Sequence, residues 1–131
     1  CGIAGLLEGI RFVINRGAEN IGKYEKMLVE LMAVNLRKID NVKCYFANDK
    51  RLQGGVLSFV VENMECETVG RLLGQRGAAV RSGLHCAPLA HESAGTVDTG
   101  TVRISVSAFN KQEEIIRFVS VLKDVLKRGN S

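Results

Sequence analysis

The chain reads as a two-layer α+β domain: a small, mainly antiparallel sheet with helices on one face. Three features predict it. Long segments with apolar residues at helical spacing open and close the chain. Short apolar runs fill the middle. A polar loop joins two of those runs as an antiparallel pair. The expected order is helix, helix, strand, strand, helix, strand, loop, strand, helix.

The opening helix rests on Ile3, Leu6, Leu7, Ile10, Val13 and Ile14, and stops at Arg16-Gly17, a basic last turn followed by glycine. Gly5 and Gly9 weaken a helix interior by about 1 kcal/mol each relative to alanine. Close packing against a neighbour is the expected compensation. The second helix spans Ala18 to Ile39, with Ile21, Tyr24, Leu28, Leu31 and Met32 as its buried stripe. Its charges read as a solvated face. Asp40-Asn41 ends it with turn residues.

Val42 to Phe46 is the first strand, with Val42, Cys44 and Phe46 on one side. Cys44 there is a small core residue. Ala47 to Gln53 is turn-like. Gly55 to Val61 is apolar almost throughout, which suits a central, covered strand. Glu65 to Gln75 is a short helix facing inward through Val69, Leu72 and Leu73, with Gly77 as its stop. Glu65 and Glu67 favour its positive end. They also keep Cys66, in the first turn, from being an activated thiol.

Ala78 to Val80 is read as a short strand, broken by the turn residues Ser82-Gly83. Glu92 to Gly100 is read as a flexible polar run. Thr101 to Ser107 alternates as a strand, with Val102, Ile104 and Val106 on one face and Thr101, Arg103 and Ser105 on the other. Asn110, with Glu113 three residues on, resembles a capping box. The last helix carries Ile115, Phe118, Val119, Leu122, Val125 and Leu126, and ends at Lys127, Arg128 and Gly129.

With 131 residues, the chain is one domain or a piece of something larger. It has no Trp and 5% aromatic residues, so its core must be mostly aliphatic. Formal net charge is +4, but the 18 Lys and Arg form no dense stripe, which argues against nucleic acid as a partner. No apolar run approaches the ~18 residues a membrane span needs. The start lacks the basic region of a signal peptide and an initiator methionine, and reads as a cut end. Four cysteines lie far apart without a CxxC pair, which fits reduced thiols in a cytoplasmic protein.

The chemistry concentrates in Val80-Arg81-Ser82-Gly83-Leu84-His85-Cys86-Ala87-Pro88-Leu89-Ala90-His91. This stretch holds both histidines, the only proline and one cysteine. Cys86 falls on a loop past a strand end, where reactive side chains collect. Arg81 and His85 are placed to bring positive charge toward its sulfur, and a thiolate is the nucleophile. Cys86 is therefore the candidate catalytic residue. His85 and His91 are candidate proton shuttles or thiolate stabilisers, or loop histidines with no catalytic role. Arg103, unusual inside a strand, is either on an exposed sheet face or a carboxylate clamp. A zinc site from His85, Cys86 and His91 is disfavoured, because adjacent His85 and Cys86 do not easily ligate one ion. No metal is expected.

The run Arg81 to His91, followed by Gly100-Thr101-Val102-Arg103-Ile104-Ser105, resembles the C-terminal part of cysteine desulfurases. These are class V aminotransferase-like, fold type I pyridoxal-phosphate enzymes, a group that includes selenocysteine lyases. Gly2 to Phe12 resembles the segment where that family's chain leaves the cofactor domain. The resemblance implies that residues 1–131 are the small domain, with the large cofactor-binding domain missing. It implies that Cys86 takes sulfur from L-cysteine, or selenium from selenocysteine, as a persulfide, leaving L-alanine. It makes Arg103 the substrate-carboxylate residue and Arg81 a second active-site arginine. It implies a homodimer and a sulfur-acceptor protein. The family's cofactor lysine and phosphate loop have no counterpart here, so pyridoxal phosphate belongs to the full-length enzyme. The isolated chain is expected to bind none and to be inactive. Rival readings are a persulfide carrier that makes no persulfide itself, a structural or dimerising domain, and another lyase or transaminase of the same family.

Overall fold

In the computed structural model, which describes residues 1–129, helical spacing and burial part company at once. Helix α1, Gly2–Arg16, forms where expected, yet none of its residues is buried. Ile3, Leu6, Leu7, Ile10, Val13 and Ile14 are all exposed. Gly5 and Gly9 have open space where a side chain would stand, so the expected close packing at these glycines is absent. Phe12 alone finds an aromatic partner, stacking on Phe109 with ring centroids 4.9 Å apart.

Helix α2, Ala18–Leu36, buries Leu28, Val29, Met32, Ala33 and Leu36. It ends three residues before Ile39, and the chain turns through Arg37–Asn41. Strand β1, Val42–Tyr45, pairs antiparallel with β2, Val56–Val61, as expected. Between them Lys50–Leu52 makes one 3₁₀ turn, started by the Asp49 carboxylate accepting from the Arg51 backbone N–H. Helix α3, Cys66–Gly74, turns Cys66, Val69 and Leu73 inward. Strand β4, Thr101–Ser105, lies between β2 and β3 in the order β1-β2-β4-β3, every neighbour antiparallel.

Strand β3 is Arg81–Gly83, not Ala78–Val80. Ser82 and Gly83, read as a break, pair instead with Val102 and Thr101. An edge partner for β4 outweighs their weak strand preference. The polar run after Cys86 also differs. Pro88–Ala94 is helix α4, with Pro88 at its first position and Gly95 at φ +67° closing it. Helix α5, Gln112–Gly129, is capped one residue later than expected. Glu114 accepts from the Lys111 backbone N–H at 2.8 Å, while Asn110 Oδ1 accepts from Ser107 N–H.

Helices α2, α3 and α5 cover one face of the sheet. There Leu57, Phe59, Val61, Val102 and Ile104 meet Leu28, Met32, Val69, Leu73, Ile115, Leu122 and Val125 in one aliphatic core around a single phenylalanine. Fully burying such side chains stabilises the fold by about 1.5–3 kcal/mol each. Among the described residues no helix packs on the opposite face; α4 only shares an open groove with it at one end. This is the expected arrangement, with the packed helices on one face. The fold remains an α+β domain with a small antiparallel sheet.

Candidate active site

The uncovered face of the sheet carries the site. Strand register puts Tyr45 opposite Ser58, Ser58 opposite Arg103, and Arg103 opposite Arg81. These four residues form one row across all four strands. Two arginines directly opposite repel each other, which destabilises a sheet pair unless an anion sits between or above them. No carboxylate among the described residues comes within salt-bridge reach of either arginine. Arg81 is exposed and Arg103 half-buried. The Nε of Arg103 is buried with no hydrogen-bond partner, a donor left over for a ligand.

Past β3 the chain reverses in a β-turn from Leu84 to Ala87, closed by Ala87 N–H donating to Leu84 O at 3.0 Å. Both central residues have positive φ, His85 at +53° and Cys86 at +57°. Residues with side chains seldom occupy that region, and holding them there costs about 1–3 kcal/mol each. His85 is held by its ring: Nε2 lies 3.1 Å from both the carbonyl oxygen and the hydroxyl of Thr101. Cys86, the other central residue, is exposed.

Turn, sheet and α4 enclose an open groove of about 250 Å³, lined by Tyr45, Ser58, Arg103, Thr101, His85 and His91, with three alanines beside them. Cys86 stands at its rim, between the lining residues His85 and Ala87. Thus the structure brings Arg103, His85 and His91 to one groove, with Cys86 beside it and Arg81 next to Arg103 in the row. The two histidine rings are 5.9 Å apart. His91 is buried, its Nδ1 2.7 Å from the Thr96 hydroxyl and 3.2 Å from the Thr96 carbonyl. His85 is held below the usual histidine pKa by burial first and by Arg103, His91 and Arg81 after that; its contact with the Thr101 backbone works the other way.

The sequence places Thr101 beside Arg103 on the strand's polar face and gives it no role. It is buried and anchors His85. Ser58 and Tyr45 gave no signal of their own; only the strand register reveals that they continue the arginine row. Cys66 is buried in the first turn of α3, and its Sγ donates to Glu67 at 3.1 Å. Burial, then Glu67, pushes its thiol up to about 11. Its surroundings as a whole do not activate this thiol. Cys44 is half-buried, and burial raises its pKa while Arg37 opposes.

Among the described residues, no three of His, Cys, Asp and Glu are grouped to hold a metal ion. No helix among them is long and apolar enough to cross a membrane. Pyridoxal phosphate requires a lysine to hold it covalently. No lysine lines the groove, so these residues do not make a site for that cofactor by themselves.

An antiparallel α+β domain with a cysteine turn at the rim of an arginine groove defines the class. The comparisons give the family. The model of the aminotransferase class-V family matches residues 1–118, and the chain belongs to that family. It is similar to a probable cysteine desulfurase of Borreliella burgdorferi, 31% identical over 126 residues, covering 96% of this chain and 30% of the relative. A probable cysteine desulfurase of Mycolicibacterium paratuberculosis is 35% identical over 125 residues, covering 95% of this chain and 18% of the relative. The chain thus spans less than a third of the length of these relatives. The apo structure of a cysteine desulfurase from Thermococcus onnurineus superposes with a TM-score of 0.86 at 32% identity, over 94% of this chain and 30% of that one.

Proposed function

We propose that residues 1–131 are the C-terminal small domain of a pyridoxal-phosphate-dependent cysteine desulfurase. The cofactor is held by the remainder of that enzyme. The exposed apolar stripe of α1 supports the reading, as a face that another part of the protein covers. In this reading Arg103, assisted by Arg81, takes the carboxylate of L-cysteine, and selenocysteine fits the same contacts. The thiolate of Cys86 attacks the substrate sulfur. A sulfur–sulfur bond forms on Cys86, the carbon–sulfur bond of the substrate breaks, and the carbon takes a proton to become L-alanine. The persulfide then passes to an acceptor protein. The enzyme works as a homodimer in the cytoplasm.

The observation that carries the reading is the placement of Cys86. It is exposed on a strained two-residue turn, at the rim of a groove whose unpaired arginine suits a carboxylate. Such a sulfur reaches both a substrate inside and an acceptor outside. The test is Cys86→Ala in the full-length enzyme. Alanine release falls by at least about a hundredfold, on the scale of a lost nucleophile, and the persulfide on the peptide containing residue 86 disappears by mass spectrometry. Undiminished alanine release would defeat the reading.

A further inference from the structure

Two buried side-chain atoms among the described residues lack any hydrogen-bond partner: Nδ1 of His85 and Nε of Arg103. Both belong to residues lining the same groove. A buried polar atom left unpaired is costly, and a pair of them in one place calls for an explanation. Arg103 Nε is a donor. The nature of His85 Nδ1 follows from its other nitrogen. A carbonyl oxygen only accepts, so Nε2, at 3.1 Å from Thr101 O, carries the proton. His85 Nδ1 is then a bare lone pair. The same logic applies to His91. Its Nδ1 is 3.2 Å from the Thr96 carbonyl and 2.7 Å from the Thr96 hydroxyl; donating to the carbonyl, it leaves Nε2 bare. No described residue bonds to that nitrogen. With each ring donating to its threonine carbonyl, the two imidazoles are opposite tautomers, and each keeps one acceptor nitrogen, that of His85 buried.

We propose that His85 and His91 form an acceptor pair for the thiol end of the amino acid whose carboxylate Arg103 holds, with Thr101 and Thr96 as positioning residues. This rests on the desulfurase reading and gives the groove two ends, donors for the carboxylate and acceptors for the S–H. His85 precedes Cys86 on the turn, so a sulfur within reach of Cys86 is at the histidine end. The depressed basicity of His85 keeps it neutral, as an acceptor must be. The groups facing the pair are Arg81 and Arg103 from the strands, Tyr45 across the groove, and Cys86 on the turn. None is a carboxylate that would favour imidazolium. Solvent does not reach His85 Nδ1 in this structure. The contact therefore requires the Leu84–Ala87 turn to shift, and its positive-φ residues make it the strained part of the wall.

The first test uses this chain unaltered. Nitrogen-15 spectra of its histidine rings should show neutral imidazoles with the proton on Nε2 of His85 and on Nδ1 of His91. The reverse tautomer at either residue overturns the proposal. The second test separates the bare nitrogens from their anchors in the full-length enzyme. His85→Gln keeps a donor to Thr101 and loses Nδ1; His91→Asn keeps a donor to Thr96 and loses Nε2. Each should raise KM for L-cysteine about three- to tenfold, the scale of one hydrogen bond. Competitive inhibition by L-alanine, which has the carboxylate but no thiol, should stay unchanged. Weakening of both ligands alike would make the histidines structural and overturn the proposal. The desulfurase reading fails differently, by alanine release that survives Cys86→Ala.

Discussion

Cys66 and Cys86 are set by the same corner of the fold and have opposite surroundings, one buried and one exposed. At that corner Gly100, at φ +59°, lies against Gly83; a Cβ on Gly100 would stand 3.1 Å from Gly83 Cα and 2.8 Å from the Cys66 sulfur. Cys66 looks inward from the first turn of α3, packed on this contact with Glu67 on its sulfur. Cys86 lies three residues beyond Gly83, on the turn, and faces out. A helix N-terminus normally favours a thiolate. Burial and a neighbouring carboxylate overrule it at Cys66, whereas Cys86, just ahead of the start of α4, is exposed. Position relative to the core, rather than local secondary structure, separates the two sulfurs.

The contrast predicts a large difference in labelling. With its thiol at about 11, only on the order of one Cys66 in a thousand is ionised at pH 8, and its sulfur is reached only when the fold opens. Brief iodoacetamide treatment of the native chain, read by peptide mass, should modify Cys86 more than about a thousandfold faster than Cys66. Urea should remove the difference. Comparable native rates would mean that the Gly83–Gly100 corner is open and the comparison wrong.

Gly100 is the point where the two sites can be disturbed together. Gly100→Ala places a methyl group against both Cys66 Sγ and the Gly83 backbone, at a φ that disfavours any side chain. The expected loss is about 2–3 kcal/mol in urea unfolding. The surviving folded molecules should also show faster labelling at Cys66. A change below about 0.5 kcal/mol would show that the corner yields without cost.

Much of this arrangement was legible in the residues, and the exceptions share a cause. The helical spacing of α2 and α5, the alternation of β4 and the near-continuous apolarity of β2 name the core, because one covered sheet face imposes its period on the sequence. Cys86 stood out by its neighbours along the chain. What did not show was contact between distant segments. Ser82 and Gly83 form a strand only because β4 offers its edge; Thr101 and Thr96 matter only because the histidines return to them. The helix Pro88–Ala94 had its signals, proline at the start and glycine at the end, masked by a polar composition. Helix α1 had the right spacing and still buries nothing among the described residues. An apolar stripe states that a face seeks cover, not what covers it.

The smallest effect separates the two causes that act on Cys66. Its pKa is raised in the fold, so the folded state holds the thiol proton more tightly than the unfolded chain, whose thiols titrate near about 8.5. The resulting stabilisation is fully present below that pH and is lost as pH rises toward about 11. Urea midpoints of the wild-type chain should therefore fall between about pH 8.5 and 11 more steeply than those of Cys66→Ala, which has no thiol to titrate there. Burial is the first cause of the shift and Glu67 the second. Glu67→Gln should accordingly shrink the difference in slope without removing it, and Cys66 should still label far more slowly than Cys86. If the difference vanished in Glu67→Gln, the carboxylate and not the core would be what keeps this sulfur silent. The contrast with Cys86 would then be one of charge rather than of depth.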